Sequence, residues 1–229
     1  MFGSRSKERA PKVITHVQDA STAFINATSY PRAYGAGNTA GNLLIAFGIA
    51  ADPVAVLSIL DTNVNIWTPL FQEVVLGQTW AAWFAIALPG ANTVTISKTG
   101  AAASGGICLG EWGGVDTVDL NVATANGNSA APTTGSGTPG TANELLLAFF
   151  ASNGGSLAAN APFVDGGQVL FGGLAFLDIA WDIIAAIALS SASATSAAGL
   201  WVAKLVSFSS GVIPPPPGTP KASNFMILD

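Results

Sequence analysis

The stretch Gly41-Asn42-Leu43-Leu44-Ile45-Ala46-Phe47-Gly48-Ile49-Ala50 decides the reading of this chain, because it returns later as Asn143-Glu144-Leu145-Leu146-Leu147-Ala148-Phe149-Phe150-Ala151-Ser152. Each copy is a short, nearly unbroken apolar run bounded by turn residues. That is how a strand covered on both faces reads. Each also follows a small polar lead-in, Gly35 to Thr39 before the first and Gly135 to Thr141 before the second. The pair is therefore predicted to form the two central strands of a β-sandwich.

The echo extends outward. The first copy is followed by an aromatic run, Gln78 to Leu88, and then by Gly105 to Gly114; the second is followed by Gly173 to Ile183 and then by Gly199 to Phe208. Two buried strands share a Leu, Ala and Phe vocabulary by composition alone. The common order of core strand, aromatic strand, small-residue spacer and closing strand argues for duplication. Its period, roughly 90–100 residues, lies outside the range of solenoids and propellers. Two similar half-sheets facing each other would bury both core strands.

Composition narrows the class. Of 229 residues 9% are charged, against about 25% in ordinary soluble domains, while 50% are apolar and the net charge is −5. One large sandwich fits this length. A surface so poor in charge resists association weakly, which favours a subunit of something larger over a free enzyme. The longest apolar candidates are Leu43–Leu60, broken by Asp52-Pro53, and Leu174–Leu189, broken by Asp178 and Asp182. Neither supplies the roughly 18 uncharged residues that a helical membrane span needs. Met1 to Lys12 has no apolar core of the signal-peptide kind, so a chain made and kept in the cytoplasm, or leaving it inside an assembled particle, is expected.

Three segments follow from this. Residues 1–11 read as a basic arm carrying Arg5, Lys7 and Arg9; residues 12–211 are the sandwich, with halves of about 12–120 and 121–211; residues 212–229 are a Pro-rich spacer and a docking tail. Pro214–Pro217 favour an extended spacer of about 3 Å per residue. The apolar run Phe225, Met226, Ile227 and Leu228 beyond it suits pairing with, or filling a groove of, a neighbour. The arms are the expected interface. Nothing aromatic is interleaved with the basic residues, which speaks against nucleic-acid recognition.

Chemistry-bearing patterns are sparse. Cys108 is the single cysteine, which excludes an internal disulfide and reads as a buried, inert thiol. A Ser-His-Asp arrangement would have to use His16, the single histidine, and no nucleophile elbow accompanies it. No phosphate cradle or dinucleotide fingerprint is present, and no cofactor or metal is expected. Paired carboxylates make the best enzyme case: Glu111, beside Trp112, with Glu73 or Glu144 opposite. A carboxylate meeting water at a strand exit is the bland alternative. Asp116 and Asp119 offer a calcium alternative or a plain solvated turn. Asp178 and Asp182 share one strand face, expected outward or at a subunit contact.

The pieces "AGNLLIAF", "NIWTPL", "PGANTVTISKTG", "EWGGVDTVD", "TANELLLAFFAS" and "GLWVAKLVSF" are together similar to jelly-roll domains of bacteriophage virion proteins and of related environmental bacterial surface proteins. The resemblance covers roughly residues 13–210 and carries over no functional residue. It implies an all-β, two-sheet jelly-roll sandwich, concanavalin-like or viral-type, with a pseudo-duplicated strand pattern and extended terminal arms. The implied function is a non-enzymatic structural subunit of a phage particle, a capsid decoration or shell protein or a tail component, whose partners are copies of itself and other virion proteins. A carbohydrate-binding or adhesin module, using Trp112 and Glu111 on a surface glycan, is the alternative from another class. A β-sandwich glycoside hydrolase is the third.

Overall fold

A computed structural model describes residues 12–75, 77–115, 117–121, 125–171 and 175–210. Both predicted arms, with Arg5, Lys7, Arg9 and Phe225 to Leu228, lie outside the described residues. The expected all-β sandwich is present, and every named strand pair is antiparallel.

The first half supplies β1 (Thr15–Ala27), β2 (Ser29–Ala33), β3 (Leu43–Ala50), β4 (Leu57–Asp61), β5 (Thr68–Val75), β6 (Gln78–Ile86), β7 (Thr93–Lys98) and β8 (Ala103–Gly113). They form a large sheet in the order β1-β8-β3-β6-β5 and a small one in the order β2-β7-β4. First strand beside last, with alternate strands assigned to opposite sheets, is jelly-roll winding. Only β5 departs from it, leaving the small sheet for the edge of the large one.

The second half repeats the winding with β9 (Thr117–Asn121), β10 (Ala125–Ser129), β11 (Glu144–Ser152), β12 (Ala158–Ala159), β13 (Val164–Phe171), β14 (Ala175–Ile184), β15 (Ala194–Thr195) and β16 (Gly199–Ser209). Its large sheet runs β10-β16-β11-β14-β13, and β9 pairs further along β16, so β9 and β10 together fill the place of β1. Its small sheet is β12-β15. The 130–137 segment flanks that sheet through bridges at Thr133↔Ser193 and Gly137↔Ser190, in the position of β2. Each half thus completes its own jelly roll. β9 belongs with the second half through its pairing to β16.

Four layers result: small sheet, large sheet, large sheet, small sheet. The two-sheet expectation accounts for the central pair. Both core strands are buried throughout because each has a layer on either side. Period-two alternation sends Leu43, Ile45, Phe47 and Ile49 of β3, with Leu145, Leu147 and Phe149 of β11, into the core between the large sheets. Leu44, Ala46 and Ala50 face the first small sheet with Tyr30, Val94 and Ile96. Leu146, Ala148 and Phe150 face the second, in one cluster with Ala192 and Ala194. Bulk is exchanged between the two outer cores. A Cβ at Gly48 would collide with Ile96, whereas its counterpart Phe150 lies in the cluster containing those alanines.

The lead-in turns also match. Gly41 (φ 82°) and Asn143 (φ 59°) stand two residues before Leu43 and Leu145, both in the left-handed region that glycine and asparagine tolerate. In each half a glutamine of the fifth strand tethers the small sheet: Leu57 N–H donates to Gln72 Oε1, and Gln168 Nε2 donates to the Leu157 carbonyl, both at 3.1 Å.

The central interface departs from symmetry in a compensated way. Phe71 of β5 and Gly167 of β13 hold corresponding places next to a bulge. Cys108 and Lys204 correspond too, as the partners of Phe47 and Phe149. Lys204 Nζ lies 4.5 Å from the centre of the Phe71 ring and forms an ion pair with Glu73. On the other side a Cβ on Gly167 would come within 3.3 Å of the Cys108 Cβ, and Ser21 Oγ donates to the Gln168 carbonyl at 2.6 Å. The large sheets are held apart by large side chains along one margin and pinched by small ones along the other.

Candidate functional site

The candidate site is built on the turn after β4. Asp61 is buried, and its carboxylate accepts from Asn65 N–H (2.9 Å), Asn65 Nδ2 (2.6 Å), Trp67 Nε1 (3.1 Å) and Asn92 Nδ2 (3.1 Å). Four donors satisfy a desolvated carboxylate and fix the turn around it. Asn65 Oδ1 in turn accepts the Leu88 N–H at 2.7 Å, and Asn63 Nδ2 reaches the Leu88 carbonyl at 3.4 Å.

These side chains span a gap. The β5–β6 ladder begins at Thr68↔Phe84, and beyond it the two chains diverge. The space between is a groove of about 330 Å³ whose walls include Val64, Ile66, Thr68, Phe84, Ile86 and Leu88. None of the lining residues is charged. Val64 and Ile66 are 80% and 87% exposed. Val64 also sits at φ 58°, a conformation that costs an L-residue with a Cβ about 1–2 kcal/mol. A rigid, hydrogen-bonded turn therefore holds two large apolar side chains outward, one of them under strain.

The carboxylates singled out in the sequence lie elsewhere. Glu111 is 0% exposed. It accepts from Gln18 Nε2 (2.6 Å), Asn38 Nδ2 (2.8 Å), Thr39 N–H (2.9 Å) and Asn42 Nδ2 (2.7 Å). Burial alone would push its carboxyl up, but these four donors outweigh it and hold the group below its ordinary value. Glu144 serves the same turn in the second half, accepting from both Thr141 N–H and Thr141 Oγ1 at 2.6 Å. Glu111 shares the outer face of the first large sheet with Ile107 and Leu109, and Glu144 lies opposite Ile184 on the outer face of the second. Two sheets separate them, and Glu73 is paired with Lys204 between the sheets. The glycosidase pairing is not assembled. Trp112 is also 0% exposed, within the central core, so neither Trp112 nor Glu111 presents a surface to a glycan. The expectation of a water-facing Glu111 at a strand exit is corrected as well: the 35–42 loop folds over it.

His16 lies at the pinched margin, stacked on Trp181 (5.0 Å, 16°) with Nε2 2.9 Å from Asp19 Oδ2. No nucleophile joins that pair among the described contacts. Cys108 is buried, its thiol pushed well up by burial and then by Asp178 and Asp19. Asp178, expected outward or at a subunit contact, is 0% exposed within the chain and lies opposite Phe150 and Gln168. Burial first, then Asp165, pushes its carboxyl up to about 9. Asp182 is partly buried. Asp119 accepts Gly140 N–H at 2.7 Å, while Asp116 lies outside the described residues. Among the described residues no group of three His, Cys, Asp or Glu is placed to hold a metal, and no helix is long and apolar enough to cross a membrane.

The class these features define is a tandem jelly-roll sandwich with a rigid, uncharged groove at one end. No family model, curated protein or solved structure matches the chain. The groove went unnoticed in the sequence because Asp61-Thr62-Asn63-Val64-Asn65-Ile66 reads as a polar turn. The available signal was Val64 and Ile66, two aliphatic residues alternating with asparagines where a turn needs none.

Proposed function

We propose that the protein is a non-enzymatic structural subunit of a bacteriophage particle, a capsid decoration or shell protein or a tail component, that associates with copies of itself. The carrying observation is the Asp61-anchored turn that keeps Val64 and Ile66 in solvent beside an uncharged groove. Rigid presentation of apolar side chains suits an interface, since the ordering cost is met before the partner arrives. The low charge of the chain removes the usual electrostatic obstacle to association. Three of the carboxylates weighed for chemistry, Glu111, Glu144 and Asp119, act as local tethers, and a fourth, Glu73, is paired with Lys204. The resemblance of the strand pattern to phage virion jelly rolls supplies the particle.

The mass of the intact protein in solution tests this reading. A discrete assembly is expected, weakened by deletion of residues 214–229 while circular dichroism stays that of the folded sandwich. A monomer at every concentration up to hundreds of micromolar would overturn the reading.

A further inference from the structure

We infer that the groove between the Val64–Ile66 turn and the end of β6 receives the C-terminal segment Phe225-Met226-Ile227-Leu228 of a second copy of this chain. The inference deepens the self-association proposed above and rests on it.

Three observations lead there. The first is where the chain leaves the fold. Phe208, two residues before the last described residue, packs edge to face on Phe84 with centroids 5.9 Å apart, and Phe84 is itself a wall of the groove. The described chain therefore leaves the fold beside it. The second is chemistry. The lining carries no charge and is mostly aliphatic and aromatic, and Phe225 to Leu228 are four successive uncharged apolar residues, with Lys221 and Asp229 kept outside the run. The third is the corresponding place in the other half. Ile86 stands opposite Leu43, and Ile183 opposite Leu145, so the two isoleucines are counterparts. The cleft at Ile183 is lined by the chain's own Lys12, Val13 and Ile14. There, residues 12–14 supply one wall of the cleft; at Ile86 no such segment stands beside the groove among the described residues.

The self-association on which this inference rests selects a neighbour's tail over the chain's own. Pro214–Pro217 favour an extended form about 3.1 Å long per residue, which carries the following residues roughly 12 Å from the exit before they can turn. A neighbour's groove lies ahead. Exit and groove side by side also make the exchange reciprocal about a two-fold axis, each copy giving a tail and receiving one.

Full-length variants test it. Ile66→Asp alters the groove at an exposed position outside the core, and Ile227→Asp alters the tail. Sedimentation velocity should show each variant associating about tenfold or more weakly than the parent. An equimolar mixture of the two should recover association, because one intact groove then meets one intact tail. Variants that associate like the parent, or a mixture as weak as its components, would overturn the tail-in-groove contact while parental assembly leaves the structural-subunit reading standing. A parent chain that does not self-associate would overturn both.

Discussion

Phe47 and Phe149 occupy the same position in the two copies of the central strand, and their rings meet edge to face with centroids 5.0 Å apart and planes at 71°. Equivalent residues touch each other only near an axis that exchanges the two halves. The repeat is thus a symmetric dimer interface built into one chain, with the two large sheets as its faces.

Removing either ring should open a cavity in the shared core. Phe47→Ala and Phe149→Ala are each expected to cost about 3–5 kcal/mol, and the double variant less than the sum, because the rings share a contact. Guanidinium denaturation followed by both tryptophan fluorescence and circular dichroism checks this. Coincident transitions are expected; two separated transitions would mean that the halves fold independently.

The splayed and pinched margins give a second expectation. Phe71→Gly and Gly167→Phe each introduce the residue native to the other half, yet both should destabilise. The first leaves Lys204 without its ring and opens a cavity worth about 3 kcal/mol or more; the second overpacks against Cys108 by about 1–3 kcal/mol. Melting temperatures at or above the parent's for either variant would refute the compensated asymmetry.

Asp178 stands where the first half has Ala81, and it ties stability to pH. Its carboxyl is raised to about 9 in the fold, against about 3.9 in an unfolded chain. Between those values the unfolded chain has released the proton and the native one has kept it, so this group makes stability fall as pH rises from about 4 to about 9, by up to about 1.4 kcal/mol per unit. Asp165 and Asp19 act in the same direction on it. Asp178→Asn should flatten the slope, leaving the variant near the parent at pH 4 and more stable at pH 8. Urea unfolding across that range decides the matter; an unchanged slope would count against a protonated Asp178.

Glu111 works with the opposite sign. Its carboxyl is held below the ordinary value, so its contribution is present above the unfolded pKa and fades as pH falls through the folded one. Glu111→Ala leaves four donors without their acceptor and should cost about 2 kcal/mol or more, read as a lower melting temperature and faster amide exchange across residues 35–42. Unaltered exchange there would show that the loop does not depend on this carboxylate.

Val64→Asn separates stability from association. Asparagine tolerates the left-handed conformation better than valine, so the variant should gain about 1 kcal/mol in chemical denaturation. It also loses an apolar side chain from the groove, and self-association should weaken. A variant more stable and equally associated would remove Val64 from the interface.

The two core strands were legible in the sequence because burial on both faces leaves an apolar run, and the repeat was legible because both halves keep the same order of runs and turns. Cys108 was legible as core for the same reason. Carboxylates were not. Glu111, Asp61 and Asp178 look alike as letters, yet one is bound by four donors over a loop, one by three donors of its own turn and Asn92, and one is buried beside a second acid that pushes its carboxyl up. Groups brought in from elsewhere in the chain create those differences: Gln18 and the 38–42 loop at Glu111, Asn92 at Asp61, Asp165 at Asp178. The groove shares that origin, since it exists only where β5 and β6 part and Asn65 bridges them. Local pattern determined which segments are strands and that there are two sets; only the packing of the sets decided which polar groups are spent on the fold and which apolar ones are left for a partner.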